Sequence, residues 1–162
     1  MITLDEVDHR LIRSLARDAT QSAGALGRHL GLSQPATWRR IKRLEEAGIL
    51  RGKRLRLNRE ALGFGVTVYA HVGLHSQAET DLVAFEALIN SWPEVRECHM
   101  LAGETDFLLK IVAVDWDAYQ RFLTTRLTAA PNVSVVKSAL AIRSATIRPG
   151  VPIDAGERAG SV

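Results

Sequence analysis

The chain of 162 residues combines 46% hydrophobic with 24% charged residues, a balance typical of a folded globular protein rather than a disordered one. Its apolar runs fall short of the roughly 20 residues that a membrane-spanning helix needs. The first ten residues are acidic and polar, unlike a secretory signal, and the lone Cys98 cannot form an internal disulfide. We therefore expect a protein of the reducing cytoplasm with no membrane partner.

Positive charge is concentrated in the N-terminal part of the chain. Residues 1–60 hold 13 Lys and Arg against 7 Asp and Glu, a net charge of +6, whereas residues 61–162 hold 8 against 11, a net charge of −3. A basic segment joined to an acidic one indicates a module that binds a polyanion, followed by a module with another role.

Three helices are predicted in the basic segment. Thr3 and Glu6 have the spacing of a capping box at the start of the first helix. Ser22 is expected to cap a second helix that ends before Gly31, and Gly48 is placed to end a third. A tight turn between the last two helices is typical of a helix-turn-helix. The stretch ILRGKRLRLN that follows predicts a small β-hairpin, the wing of a winged helix.

The rest of the chain alternates strands with helices. Apolar, β-branched runs predict strands in VTVYAHVGL, EVRECHML, DFLLKIVAV and VSVVKSALAIRSATI. Helical spacing marks AETDLVAFEALINSW and WDAYQRFLTTRLTAA, the latter capped by Asp115 or Asp117. This βαββαβ order is ferredoxin-like. We therefore predict an α+β protein with a winged helix-turn-helix at 1–60, a ferredoxin-like domain at 61–148, and a mobile or loosely wrapped tail at 149–162.

On a helical wheel of the third helix, drawn with Ile41 pointing into the core, the cationic residues lie away from the side that packs on the core. On this wheel Trp38 falls on the inner side and is interpreted as a core or helix-packing residue rather than a platform for base stacking. Arginines turned outward, with small residues at the helix entrance, suit the major groove of double-stranded DNA. The residues expected to contact DNA are Gln34, Ala36, Arg39, Arg40, Arg43, Lys53 and Arg54. Gln34 is equally suited to cap the helix.

Five stretches resemble signatures of the Lrp/AsnC, or feast/famine, family of bacterial transcriptional regulators. They are LDEVDHRLIRSLARDATQS, LGLSQPATWRRIKRLEEAGIL, LGFG, PEVRECHMLAGETDFLLKI and AYQRFL, in family order and at family spacing. The resemblance implies a winged helix-turn-helix followed by a βαββαβ effector domain. It also implies homodimers that pair through the C-terminal sheets, a higher oligomer that is commonly an octamer, and promoter binding that responds to amino acids or similar metabolites.

The resemblance further implies an effector site between dimers, built from the turn LAGETDF and a polar segment near the last strand. A glycine in the turn would let a ligand approach the backbone, and Asp106 suits an amino-acid ammonium group. The residues implied are Gly103, Glu104, Thr105, Asp106 and Ser138. Val136 stands where family members often have Thr or Ser, which leaves open both the ligand class and an orphan site.

Two other functions remain as alternatives. One is an enzyme, because sirohaem decarboxylases share this two-domain architecture. The five histidines show no metal-binding spacing and no catalytic constellation, however, so we expect neither catalysis, a cofactor nor a metal ion. The other alternative is an architectural protein that binds DNA with little sequence preference. Affinity for a chosen site relative to random DNA, at fixed salt, separates it from a regulator.

Overall fold

The computed structural model describes residues 2–147 and 150–153, and the chain divides into two compact units. The N-terminal unit comprises residues 1–56 and the segment from residue 147 onward, and the C-terminal unit comprises residues 57–146. The remainder of the predicted tail lies outside the described residues. Within the part that the structure describes, no helix combines the length and the apolar character that crossing a bilayer requires.

Three helices build the N-terminal unit, namely α1 (Glu6–Arg17), α2 (Ala23–Leu30) and α3 (Gln34–Glu46). Their facing sides form an apolar core in which Leu11, Leu26 and Leu44 are fully buried. Backbone φ is positive at Gly31, which ends α2, and at Gly48, two residues beyond α3. The predicted helix-turn-helix is confirmed. Of the C-terminal segment, Ile153 lies beside this core, and its carbonyl accepts a hydrogen bond from Arg13 Nε at 3.3 Å.

The start of α1 differs from the prediction. Asp5, rather than Thr3, is the N-cap residue: its carboxylate accepts the backbone N–H of Asp8, and the Asp8 carboxylate accepts the N–H of Asp5. The Thr3–Glu6 box was wrong because a second pair with the same spacing lies two residues later. Both members of that pair are carboxylates, which the positive end of a helix favours.

The predicted wing hairpin is absent from residues 51–58, whose backbone forms no strand. Gly52 has the positive φ of a turn, but the side chains on both sides of it are exposed, and Leu55 is 90% exposed. A two-stranded ribbon is marginal in water unless one of its faces packs on a core. Since this segment has no such support, its alternating sequence does not suffice to form a ladder.

The C-terminal unit contains β1 (Val66–Leu74), α4 (Glu79–Asn90), β2 (Val95–Met100), β3 (Phe107–Ala113), α5 (Trp116–Phe122, continued by the π-helical turn Leu123–Leu127) and β4 (Val133–Leu140). The strands form one antiparallel sheet in the order β2-β3-β1-β4. Asp115, one of the two candidate caps, accepts the N–H of Ala118 at the start of α5. The α+β, βαββαβ prediction is therefore confirmed.

The sheet has a buried face and an open face. Alternate residues of the two central strands point toward the buried core of α4 and α5, among them Val72 and Phe107. The intervening residues, such as Tyr69 and His71, form the open face, on which Tyr69 is 37% exposed. This alternation follows from the two-residue period of a strand. The open face therefore carries the polar side chains available to a ligand or a second protomer.

Strand β4 is shorter than predicted, since it ends at Leu140 rather than near Ile147. Leu140 pairs with Val68, and the N–H of the next residue reaches the carbonyl of Thr67. Because β1 begins at Val66, the residues that follow Ala141 have no further length of β1 to pair with. Partner length, rather than β-propensity, sets the end of β4.

Candidate functional site

The turn between α2 and α3 is held by a close backbone contact. Ser33 caps α3 by accepting the N–H of Ala36 at 3.3 Å, and the buried Thr37 hydroxyl donates to the Ser33 carbonyl at 3.0 Å. A Cβ at Gly27 of α2 would lie 2.7 Å from the carbonyl oxygen of Leu32 and 2.9 Å from the Thr37 hydroxyl. Glycine at this position therefore lets α3 pack directly against α2.

The buried face of α3 is rotated from the face that the wheel predicted. Thr37 and Leu44 are fully buried, whereas Ile41 is only partly buried. At about 100° per residue, the centre of burial lies about 50° from Ile41, toward Arg40. Trp38 moves out of the core accordingly and is 55% exposed. The core interpretation of Trp38 was wrong because the wheel was anchored on one residue near the edge of the buried face.

Two of the arginines predicted to contact DNA form ion pairs with α1. Arg40 donates to the carboxylates of Asp5 and Asp8 at 2.7 Å each, and Arg43 pairs with the other oxygen of Asp8. Asp8 itself has no exposed surface. The backbone N–H of Asp8, followed by the Arg40 guanidinium, lowers the pKa of Asp5, while Asp5 raises the pKa of Arg40. These two guanidinium groups therefore tie α3 to α1, and their contact with DNA stays a prediction.

The exposed residues of α3 are Gln34, Pro35, Trp38, Arg39, Lys42, Arg43, Glu45 and Glu46. Arg39 points outward as predicted. The Nζ of Lys42 lies 5.3 Å from the centre of the Trp38 ring, a cation–π contact, and 3.8 Å from the Glu46 carboxylate. The solvent-facing side of α3 therefore presents Arg39 and Lys42 around the Trp38 ring, and two acids in its last turn.

The remaining predicted DNA residues lie at two places in the N-terminal unit. Gln34 is exposed at the start of α3, and because Ser33 provides the cap, Gln34 does not have that role. Ala36 is partly buried in the same turn. Lys53 and Arg54 are exposed in the irregular segment 51–58. These residues are accessible to a partner, and the segment that carries the last two has no fixed strand geometry.

In the C-terminal unit, the turn between β2 and β3 contributes two of the predicted effector residues to the open face of the sheet. The Thr105 hydroxyl is buried and lies 3.3 Å from Nδ1 of His71. Glu104 forms an ion pair with Lys137, which lowers the pKa of Glu104. His71 and Lys137 are register partners on β1 and β4. Glu104 and Thr105 thus extend over the neighbouring strands β1 and β4.

Asp106 has partners for both of its carboxylate oxygens. One accepts the backbone N–H of Leu74 at 2.7 Å, and the other accepts the side-chain amide of Gln77, also at 2.7 Å. An amino-acid ammonium group would therefore share the carboxylate with Gln77 or replace it. A Cβ at Gly103 would meet nothing within 4 Å, so packing within the chain does not require glycine at that position.

Ser138 lies on the other face of the sheet. Its hydroxyl is 2.5 Å from the phenol oxygen of Tyr119 on α5, and burial raises the pKa of that phenol. Glu104 and Thr105 belong to the open face, so one chain does not bring Ser138 together with the turn. The predicted effector residues therefore form two separate groups within a protomer.

Sequence reasoning missed four side chains that organise these sites: Asp8, His71, Gln77 and Tyr119. Only Asp8 had a signal in the sequence. It precedes Leu11 by three residues, Ile12 by four and Leu15 by seven, which places a carboxylate on the apolar stripe of α1. A buried acid of this kind predicts a cationic partner nearby.

The lone cysteine, Cys98, lies on β2 and is partly buried. Burial raises the pKa of Cys98 to about 11, so its thiol stays protonated at neutral pH and is a poor nucleophile. Among residues 2–147 and 150–153, no three His, Cys, Asp or Glu side chains form a group that could hold a metal ion.

Comparison with known proteins identifies the family. The AsnC-type helix-turn-helix domain matches residues 4–45, and the Lrp/AsnC ligand binding domain matches residues 67–151. The leucine-responsive regulatory protein of Rhizobium meliloti is 42% identical over 88% of this chain and 91% of its own length. The Bkd operon transcriptional regulator of Pseudomonas aeruginosa is 38% identical over 94% of this chain and its full length.

Solved structures agree with these sequence matches. A transcriptional regulator from Neisseria meningitidis, crystallised in complex with L-Met, superposes with a TM-score of 0.88 at 28% identity, covering 94% of this chain and 98% of that one. An AsnC family regulator from Agrobacterium tumefaciens gives 0.86 at 30% identity, over 93% and 98%. With both of its domains matched in order, the chain belongs to the Lrp/AsnC family of transcriptional regulators.

Proposed function

We propose that this regulator binds double-stranded DNA through the outward face of residues 34–42 of α3, in the cytoplasm and without a catalytic role. The observation that carries the proposal is the outward face of α3, where Arg39 and Lys42 are available to phosphates or base edges. Gln34 and Ala36 would assist at the helix entrance, and Lys53 and Arg54 would contact the backbone. Arg40 and Arg43 would act indirectly, by fixing α3 on α1.

We propose further that an amino acid or a related small metabolite binds the C-terminal unit and changes DNA binding. The L-Met complex of the Neisseria regulator supports this ligand class. The candidate residues of this chain form two groups on opposite faces of its sheet, the turn 103–106 and Ser138, an arrangement that suits a site completed by a second protomer. Homodimers paired through the open sheet face, assembled into a higher oligomer such as an octamer, would supply that protomer.

The experiment that tests the function is a footprint of the protein on its own promoter region, repeated with each amino acid of a panel. A protected site whose affinity changes with one amino acid supports the proposal. Ligand and DNA would then alter each other's affinity by the same factor, because binding coupling is reciprocal. Binding that prefers no sequence over random DNA at fixed salt would favour the architectural alternative instead.

Replacing Arg39 by alanine is expected to weaken DNA binding while leaving the stability of the N-terminal unit unchanged, because the side chain is exposed. If Arg39 contacts a phosphate, the slope of log affinity against log salt concentration should fall by about 0.9. The measurement is a salt titration of DNA affinity. Arg121→Ala, which removes an exposed arginine from α5 in the other unit, is the matched control. An unchanged slope and affinity for Arg39→Ala would remove this residue from the interface.

Replacing Asp106 by asparagine is expected to abolish ligand binding with little effect on folding. The amide oxygen can still accept the Leu74 N–H, whereas the charge that would attract an ammonium group is lost. Asp106→Ala should in addition lower stability by about 1 kcal/mol, since it leaves that N–H without its acceptor. Thermal unfolding with and without the amino acid found in the footprint separates the two effects. A ligand-induced shift that survives in Asp106→Asn would place the ammonium contact elsewhere.

A further inference from the structure

Trp38 is an unusual residue for the outward face of a basic helix. A single exposed apolar side chain is ordinary and carries no weight by itself. Trp38, however, is the fifth residue of α3, in the half of a helix-turn-helix recognition helix that contacts base edges. Its ring is also held in place from one side by the Lys42 ammonium group. The indole is therefore a positioned group on the surface that we assign to DNA.

The charges around Trp38 favour DNA as its occupant. Arg39 follows it directly, and Lys42 is one turn further along the same side. Two turns along, Glu46 is exposed and would repel a phosphate backbone, so the acidic end of α3 is disfavoured near DNA. Residues 34–42 of α3 then suit close approach to a duplex, and Trp38 is the large apolar side chain exposed among them.

Resting on the DNA-binding function proposed above, we propose that Trp38 is a specificity residue that packs its indole against the 5-methyl group of a thymine in the major groove. The 5-methyl group of thymine is the apolar group that the base edges present in that groove, and apolar side chains recognise it by van der Waals contact. Lys42, stacked on the indole, would reach a neighbouring phosphate and keep the ring oriented. Trp38 would thus select an A·T pair, while Arg39 and Lys42 supply affinity that depends little on sequence.

Tryptophan fluorescence tests whether the indole enters the interface. Duplexes are first selected from a random pool by the full-length protein, and emission is then recorded on titration with the selected DNA. The change seen in the wild type should disappear in Trp38→Phe and persist in Trp116→Phe. Trp116 is the matched control because it is 43% exposed and lies in the other unit. Both substitutions are at exposed sites, so both variants should fold.

Deoxyuridine substitution tests the thymine contact. Replacing one thymine of the selected site by deoxyuridine removes only the methyl group, and at the contacted position we expect about a fourfold loss of wild-type affinity, the value of one buried methyl-sized group. Trp38→Ala should bind the original site about tenfold more weakly, as for the loss of one base-pair contact. That variant should show no further loss with deoxyuridine at any thymine.

The outcomes distinguish failure of the role proposed for Trp38 from failure of the proposed DNA-binding function. If Trp38→Phe still shows the DNA-induced emission change of the wild type, the role of Trp38 is overturned and the DNA-binding function stays intact. The same holds if deoxyuridine lowers affinity equally in the wild type and Trp38→Ala. Failure of the wild type to select any sequence over random DNA overturns the proposed function, and the role of Trp38 with it. Loss of both the emission change and the deoxyuridine effect on removal of the indole supports the inference.

Discussion

Replacing Asp8 by asparagine is expected to lower the free energy of unfolding of the N-terminal unit by about 3 kcal/mol. Asp8 is completely buried, completes the capping box of α1 by accepting the N–H of Asp5, and receives one guanidinium on each carboxylate oxygen. Asparagine keeps the shape but removes the charge that compensates Arg40 and Arg43. We place the effect at the lower end for a broken buried pair because both arginines keep some solvent access, with side chains 27% and 46% exposed.

Hydrogen exchange of the amides in residues 6–46 is the appropriate measurement, because it reports on this unit separately from the other. Glu46→Gln is the matched control: it removes a carboxylate from an exposed ion pair and should change stability by less than about 0.5 kcal/mol. In the Asp8→Asn background, Arg43→Ala should cost less than in the wild type, since its partner is already gone. A loss of under about 0.5 kcal/mol for Asp8→Asn would show that the ion pairs do not hold α1 to α3.

Hydrophobic periodicity predicted most of the fold, because the apolar residues of each helix or strand recur on the face that it buries. It succeeded for the helix-turn-helix and for the βαββαβ order, where apolar residues recur at helical or strand spacing over many positions. It failed at segment 51–58 and at the end of β4. In both places, whether a strand forms depends on a partner strand to pair with or a core to pack on. A local sequence pattern contains no information on either.

The rotation of α3 could not be predicted from its own sequence. The wheel gives relative angles only, and Ile41 is one of several residues that could mark the buried side. What fixes the rotation is outside the helix: Gly27 of α2 contacts Thr37, and Asp8 of α1 draws Arg40 and Arg43 toward it. An error of about 50° is enough to exchange the roles of Trp38 and two arginines.

The effector residues came from resemblance rather than from physics, and the structure refines what they do. Asp106 was expected as a ligand contact, yet its carboxylate already organises the end of β1 through Leu74 and Gln77. Ser138 was expected to contribute with the turn to a site between dimers, and within one chain its hydroxyl meets Tyr119 on the helix-covered face. Long-range contacts of this kind join residues about 20 to 30 positions apart, so no short motif reveals them.

Two glycines of α2 make a matched pair in which the same substitution should have opposite effects. Gly24→Ala is expected to stabilise the N-terminal unit by about 0.5–1 kcal/mol, the usual gain when alanine replaces glycine inside a helix. A Cβ there would meet the flexible end of Gln34 at 3.4 Å and the Ser22 hydroxyl at 3.9 Å, both at ordinary contact distances. Gly27→Ala is expected to destabilise the unit. The gain in helix propensity is outweighed by a steric clash, because the Cβ would lie 2.7 Å from the backbone oxygen of Leu32. Overpacking of this kind costs about 1–3 kcal/mol.

Gly27→Ala should also weaken DNA binding by about tenfold or more, because the turn must open to admit the methyl group and α3 moves with it. Gly24→Ala should weaken DNA binding far less, because its methyl group meets only side-chain atoms of Gln34 and Ser22 and leaves the turn closed. Hydrogen exchange of α2 and α3, combined with affinity for the selected duplex, measures both effects. If the two alanines shifted stability in the same direction, the close approach of α2 to the turn would not be what fixes α3, and the assignment of its outward face would have to be revised with it.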